Sequence, residues 1–250
     1  MSTLFGVGVG PGDPELLTLK AVRIIRAAPV VAYPAPLEGP GMARSIAAAF
    51  VTPGTIELPL RMSFDLDRVS ANAAYDAGAL AIADHLTAGR DVAVLCEGDP
   101  FFFGSFIHLF GRLCDRFAVE VVPGVTSVAA CGAALKFPLA ALDDRVAIIP
   151  AGCPEDELER LLAGVDAAAI IKAGRHLAKL VRVLERLGLV DRARYIERAG
   201  LPDQRIRPLA AAAADGGTYF SMVLVHNAAE PQPKRFVLLT SKIFAAREDF

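Results

Sequence analysis

The sequence predicts an α/β protein of two domains, a mostly parallel sheet followed by a mixed one. Three observations lead there. Apolar, β-branched runs alternate with helical stretches through the first half, the pattern of a parallel sheet covered on both faces. Helices give way near the end, where Ile206–Leu209, Tyr219–His226 and Phe236–Thr240 read as strands separated by Gly and Pro turns, which predicts antiparallel hairpins. The chain has 250 residues, enough for one large domain or two compact ones, and its 54% hydrophobic, 22% charged composition excludes intrinsic disorder.

Each element follows from local pattern. Leu4–Val9 reads as a buried strand, broken by Gly10-Pro11-Gly12-Asp13-Pro14. Glu15–Ala27 carries Leu16, Leu19, Val22 and Ile25 on one helical face, with Asp13 placed to cap it. Pro29–Ala32 is a second strand, and Tyr33–Gly41 a Pro/Gly-rich loop. Met42–Phe50 reads as helix and Thr55–Leu58 as a short strand. Asp67–Ala88 is a long Ala-rich helix that Gly89 stops. Asp91–Cys96 is a buried strand, Phe103–Phe117 a helix, and Ala118–Val122 a strand ended by Pro123-Gly124. Helix Thr126–Leu135, strand Arg145–Pro150, helix Pro154–Ala163, strand Ala167–Lys172, helix Leu177–Leu187 and strand Ala193–Arg198 follow. Beyond Arg198 the pattern predicts no helix. The change of pattern near residues 117–124 divides the chain into domains 1–120 and 121–250.

Several classes are disfavoured at once. A net charge of −2 lacks the basic footprint of a nucleic-acid binder. No run approaches the ~18 apolar residues of a membrane span. Met1–Gly6 lacks the basic start of a signal peptide, so a cytoplasmic protein is expected. Cys96, Cys114, Cys131 and Cys153 show no paired spacing, and the four histidines show no HxxxH, so no bound metal is expected.

Parallel sheets bind ligands at the carboxyl ends of their strands. Three such loops are rich in Gly, Pro, Asp, Ser and Thr: Gly8–Pro14, Cys96–Phe101 and Val122–Ser127. The first fails as a dinucleotide fingerprint, because neither Gly6-x-Gly8 nor Gly8-x-Gly10 is completed three positions on and no acid occurs between Glu15 and Glu38. The chain has no P-loop and no GxSxG elbow. By itself this loop reads as a tight turn feeding a capped helix. The second loop puts Glu97 and Asp99 at a strand end, where a carboxylate takes a ribose diol or an ammonium group, or caps the next helix. Phe101, Phe102 and Phe103 either cover a flat ring or belong to the core. The third loop adds the Thr126 and Ser127 hydroxyls, and Gly124 allows close backbone approach.

Together, in this order, the stretches GVGVGPGDPELLTLKA (6–21), EGDPFFFGSF (97–106) and VPGVTSVAACGAALKFPLA (122–140) resemble the tetrapyrrole methylase family. The resemblance covers most of residues 4–240 and implies two α/β domains with S-adenosylmethionine in the cleft between them. Within the family, EGDP followed by aromatics and GSF is most similar to the branch that methylates precorrin-2 at carbon 20 in cobalamin biosynthesis. The neighbouring alternatives are the same reaction on the cobalt form, or another methylation of the corrin pathway. Carried over residue by residue, the family's cofactor contacts fall on Gly10, Pro11, Glu97, Gly98, Asp99, Phe102, Thr126 and Ser127. A further contact falls at Lys172, where relatives commonly carry methionine, and another at Ala210. The resemblance also implies a homodimer, to which the Phe101–Phe110 stretch can lend apolar surface.

The implied reaction, a displacement at a sulfonium methyl, needs alignment more than acid–base help. Glu97, Asp99 and Tyr33 are all candidates for a base, and nothing in the sequence chooses among them. A many-carboxylate tetrapyrrole suits planar bidentate donors, and the chain has 20 Arg against 6 Lys. Arg61 and Arg145 are the substrate-binding candidates. Two rival readings are methylation of a protein or RNA, and a nucleotide-binding module whose loops only cap helices.

Overall fold

The computed structural model describes residues 2–62 and 68–227, and the chain divides into two compact units, Met1–Ser127 and Val128–Phe250. The expected strand Phe236–Thr240 and the helix start at Asp67 lie outside the described residues.

Unit 1 is built on strands β1 (Thr3–Gly8), β2 (Val30–Ala35), β3 (Ile56–Arg61), β4 (Val92–Cys96) and β5 (Ala118–Val122). Their order is β3-β2-β4-β1-β5, and every pair is parallel. Period-two alternation assigns the side chains to two cores. Leu4, Val92, Val94 and Cys96 meet α3 (Arg68–Thr87) and α4 (Phe106–Leu113) on one face. Val7, Ala93 and Leu95 meet α1 (Leu19–Ala27) and α2 (Met42–Ile46) on the other. All five residues of β4 are buried, because both faces of this strand are covered.

Unit 2 carries β6 (Val146–Pro150), β7 (Ala167–Ile171), β8 (Ala193–Glu197), β9 (Arg205–Arg207) and β10 (Ser221–His226) in the order β6-β7-β10-β8-β9. The β6–β7 pair is parallel, whereas β10 runs antiparallel to both β7 and β8. One face packs α6 (Glu155–Ala163), α7 (Leu177–Arg186) and α8 (Leu209–Asp215). The other packs Cys131 of α5 (Ser127–Ala134) together with Phe137. The mixed sheet agrees with expectation, but its hairpin content is smaller: β8–β9 is a hairpin, and β10 is inserted between two strands that run opposite to it.

Several elements differ from the sequence reading, and β3 runs three residues past the expected Leu58, to Arg61. The first helix is split, with a 3₁₀ turn at Pro14–Leu16 and then α1. Asp13 caps only the turn, through Glu15 N, whereas Thr18 caps α1 by accepting from Ala21 N at 3.1 Å. Strand β2 runs on through Tyr33, Pro34 and Ala35, which were expected as loop; there it pairs with β3 alone, so Pro34 interrupts no second ladder. Met42–Phe50 is α2 followed by a 3₁₀ turn at Ala48–Phe50. The fourth helix begins at Phe106 rather than Phe103, because Phe103 is left-handed at φ 57°. Finally, the strand expected at Ile206–Leu209 stops at Arg207, and Pro208 begins α8 where no helix was expected. Its run of alanines forms helix by propensity, with only Leu209 and Ala212 buried.

The shift of cap has a measurable consequence. Thr18→Ala is expected to cost about 1 kcal/mol in urea unfolding. Asp13→Ala should cost clearly less, because it releases only an exposed turn.

Candidate functional site

Strands β4, β1 and β5 are contiguous and parallel, so their carboxyl ends open on the same edge and bring the three Gly-rich loops together. Gly10 N donates to Gly98 O at 3.3 Å and Gly98 N to Gly10 O at 2.7 Å, an antiparallel bridge between two loops. Both glycines have positive φ, 76° and 65°. A side chain on Gly124 would run into the Gly98 carbonyl, and one on Gly8 would lie 2.7 Å from Gly124 N and from Gly98 O. The expected close approach at Gly124 therefore serves contact between loops.

Asp99 fastens the third loop to the second. Its Oδ1 accepts from Phe101 N at 2.9 Å and its Oδ2 from Gly124 N at 3.0 Å. It does not cap α4, whose N-cap Ser105 makes no side-chain cap bond. Glu97, partly buried at the end of β4, accepts from Ala43 N in the first turn of α2 at 3.1 Å. Burial pushes its carboxyl above the ordinary carboxylate range, and the backbone amide of Ala43 offsets this only in part. Pro11 is partly buried beside the bridge, Thr126 is partly buried, and exposed Ser127 opens α5. Phe101, Phe102 and Phe103 are 47%, 38% and 48% exposed, so the core alternative for them is corrected. Gly104 next to them leaves no room for a side chain against the Pro100 carbonyl, which turns the aromatic run outward.

The other predicted residues lie elsewhere. Arg61 ends β3 and donates to Pro36 O at 2.8 Å and Gly39 O at 2.5 Å, holding the loop before α2. Arg145 stands at the amino end of β6, away from that sheet's carboxyl-end loops, and its guanidinium donates to Asp166 at 3.0 Å. In unit 2, Lys172 follows β7 with φ 59°, and Ala210 is an exposed first-turn residue of α8. Tyr33 donates to Glu57 at 2.8 Å, and Arg44 grips the same carboxylate at 2.7 and 2.8 Å. Burial, then the hydrogen bond to Glu57, raises the Tyr33 phenol and keeps it protonated, which removes it from the candidate bases. Among the described residues no group of three or more His, Cys, Asp or Glu is gathered to hold a metal.

Two polar assemblies escaped the sequence reading. One is this Tyr33–Glu57–Arg44 triad. The other lies in unit 2, where Tyr195 and Arg207 both donate to buried Glu197, at 2.8 and 3.0 Å. Its signal was present: Tyr195 and Glu197 are two apart in a strand and so share a face. Its partner Arg207 comes from a strand whose register only the fold sets.

Residues 3–214 match the family of Tetrapyrrole (Corrin/Porphyrin) Methylases. The chain belongs to the tetrapyrrole methylases. It is 44% identical over 230 residues to the precorrin-2 C(20)-methyltransferase of a Sinorhizobium species, covering 89% of this chain and 94% of that one. It is 30% identical over 235 residues to the cobalt-precorrin-2 C(20)-methyltransferase of Salmonella typhimurium, covering 90% and 96%. Among solved structures it is similar to the uroporphyrin-III C-methyl transferase of Thermus thermophilus complexed with S-adenyl homocysteine. That likeness has TM-score 0.65 and 27% identity, and covers 90% of this chain and 92% of that one. In this tetrapyrrole methylase the signature loops are thus the three that meet at the edge of unit 1.

Two consequences can be measured. Gly124→Ala is expected to cost about 3 kcal/mol, since backbone rather than a movable side chain stands in the way. Glu97→Gln keeps an acceptor for Ala43 N and removes a buried ionisation. A raised folded pKa means that wild-type stability is full below the ordinary carboxylate value of 4.5 and falls as pH rises toward the raised value. The variant's advantage in melting temperature should therefore be absent at low pH, open upward from that ordinary value, and level off only above the raised one.

Proposed function

We propose that this tetrapyrrole methylase transfers the methyl group of S-adenosylmethionine to carbon 20 of precorrin-2, giving precorrin-3A in cobalamin biosynthesis. One observation carries the reading: 44% identity to the Sinorhizobium enzyme over 94% of that enzyme's length. The lower identity to the Salmonella enzyme, 30%, favours the metal-free substrate over the cobalt form.

The donor chemistry of unit 1 fits the methyl donor. The partly buried Glu97 carboxylate suits an ammonium or a sugar hydroxyl, and binding of a cation beside it would draw its raised pKa down. Gly10, Pro11, Gly98 and Asp99 offer backbone groups held in place by the Gly10–Gly98 bridge. Thr126 and Ser127 add hydroxyls, and exposed Phe102 an apolar surface. Lys172 and Ala210, the remaining contacts that the family resemblance implies, stand on unit 2. When bound, S-adenosylmethionine supplies a methyl group on a cationic sulfur.

The residues of the chain do the rest by alignment. Loops tied to one another by backbone hydrogen bonds need little reorganisation when a ligand arrives, so orientation is largely set beforehand. Asp99 is committed to two backbone amides and Tyr33 to Glu57, so this reading favours Glu97, which takes the Ala43 amide, among the three candidate bases. The reading includes a homodimer, for which exposed Phe101, Phe103 and Ile107 offer apolar area, and a cytoplasmic location.

The test is an anaerobic assay of the purified chain with S-adenosylmethionine and precorrin-2, following labelled methyl carbon by mass spectrometry and carbon-13 NMR. The expected product carries one added methyl at carbon 20. Turnover of only the cobalt form would overturn the metal-free assignment. Binding of S-adenosylhomocysteine by calorimetry without methylation of either form would sink the substrate and keep the family. Sedimentation of the same sample should give a dimer.

A further inference from the structure

We infer that Arg44, Glu57 and Tyr33 form a positioning clamp: they fix the first turn of α2, whose Ala43 amide holds the Glu97 carboxylate in place for the methyl donor. This rests on the reading of Glu97 as a contact of S-adenosylmethionine and adds three residues that act through it.

Helix α2 is a single turn of five residues, Met42–Ile46, and its N-cap Gly41 has no side chain to cap it. A helix this short is not held in shape by hydrogen bonding along the chain. Ala43 and Ile46 are buried in the same core as Val31, Ala93 and Leu95. Burial of that kind is non-directional, so it keeps the turn on the sheet without fixing its rotation. Rotation matters, because a first-turn amide has no partner within its own helix. Here that amide, Ala43 N, donates to Glu97 Oε1 at 3.1 Å.

The clamp supplies the direction. Arg44, next along the chain, donates Nε to Glu57 Oε2 at 2.7 Å and Nη2 to Oε1 at 2.8 Å, a bidentate fork that fixes both distance and plane. Tyr33 donates to the same Oε2 at 2.8 Å. Glu57 lies on β3 and Tyr33 on β2, so the turn is fastened to two adjacent strands. A side chain on Gly41 would collide with the Pro34 carbonyl, and Ser45 Oγ donates to Gly41 O at 3.0 Å. Glu57 stands on the edge strand of its sheet with 34% of its side chain exposed, where water alone would satisfy a carboxylate. Three protein donors gathered on it point to the turn that they hold.

The clamp keeps its charges near neutral pH. The hydrogen bonds from Arg44 hold the Glu57 carboxyl below the ordinary range, and burial, then Glu57, raises the Tyr33 phenol. Glu97 moves the other way: burial raises it, and two backbone amides, its own and that of Ala43, draw it down. Its neighbours along the chain are Cys96, a thiol that burial pushes up to about 12, and Asp99, bound to the amides of Phe101 and Gly124. On the elements packed beside it stand Arg44 and Tyr33, both engaged by Glu57. Loss of the Ala43 amide therefore raises Glu97 further, so that the carboxylate loses its charge at a higher pH.

The experiment titrates S-adenosylhomocysteine by calorimetry at a series of pH values on the full-length chain. The variants are Arg44→Met, Arg44→Lys, Glu97→Gln, and Arg44→Met combined with Glu97→Gln. Wild-type affinity should fall in acid as Glu97 takes a proton. Arg44→Met should move that fall to higher pH, its Kd exceeding the wild-type value about fivefold on the acid limb and about twofold on the plateau above it. Arg44→Lys keeps one charge-assisted bond to Glu57, and with it the fold, and should show a smaller shift in the same direction. In Glu97→Gln the acid limb should vanish, and adding Arg44→Met should then cost the same at every pH. Arg44→Met that weakens binding by one factor at every pH in the wild-type background would mark a loosened fold and overturn the inference. Arg44 variants indistinguishable from wild type would overturn it too. A wild-type affinity indifferent both to acid and to Glu97→Gln would remove Glu97 from the methyl donor and take the clamp's role with it. A chain that binds as expected here but does not methylate precorrin-2 would retain the clamp while the proposed substrate failed.

Discussion

Three neighbouring parallel strands, each about 4.8 Å from the next, must turn their loops over the same edge of the sheet. That crowding at the ends of β4, β1 and β5 governs unit 1. It is met by leaving out side chains where the loops cross, at Gly8 and Gly124, while Gly98 supplies a left-handed turn at φ 65°. The backbone groups freed by their absence then pair with one another, as in the Gly10–Gly98 bridge. A larger residue at these points would push the loops apart and dissolve the edge on which the signature residues stand.

The carboxylates at that edge do more holding than they display. Asp99 spends both oxygens on backbone amides of two different loops, which makes it a stitch between motifs. Glu97 ties the end of β4 to the start of α2, a segment that Arg61 also steadies through the loop before it. A buried carboxyl with a raised pKa is poorly satisfied, and a cationic or hydroxyl-bearing ligand would improve its position. Rigid loops and one incompletely satisfied acid suit a reaction that depends on alignment.

Unit 2 solves a related problem differently. Its sheet is mixed, so the crowded edge holds strand ends of β7 and β8 and the beginning of β10. Close approach there is allowed by Gly174 and Gly217, and the cost is carried as left-handed backbone at Lys172 and Arg198. Behind it, Tyr195 and Arg207 converge on Glu197, a carboxylate that would be expensive to bury alone. Burial and the bond to Glu197 push the Tyr195 phenol up to about 12, so it stays a donor throughout the physiological range.

Local pattern was enough for most of the architecture. Alternating apolar runs located nearly every strand, because burial on two faces leaves an uninterrupted β-branched stretch such as Val92–Cys96. The three Gly-rich loops were legible for the same reason, since glycine, proline and aspartate mark strand ends. What the sequence could not decide was partnership. That Gly124 faces Gly98 and that Arg145 pairs with Asp166 depend on which segments the fold brings within a few ångströms. Helix α8 was missed because an alanine run lacks the periodicity that marks a buried face, while Pro208 and propensity suffice to start it. Strand, helix and turn types are properties of neighbours along the chain, and the sequence by itself determined them. The pairing of Lys172 with Tyr219, of Glu97 with Ala43 and of Arg207 with Glu197 joins residues far apart in sequence, and only the register of the sheets decided it.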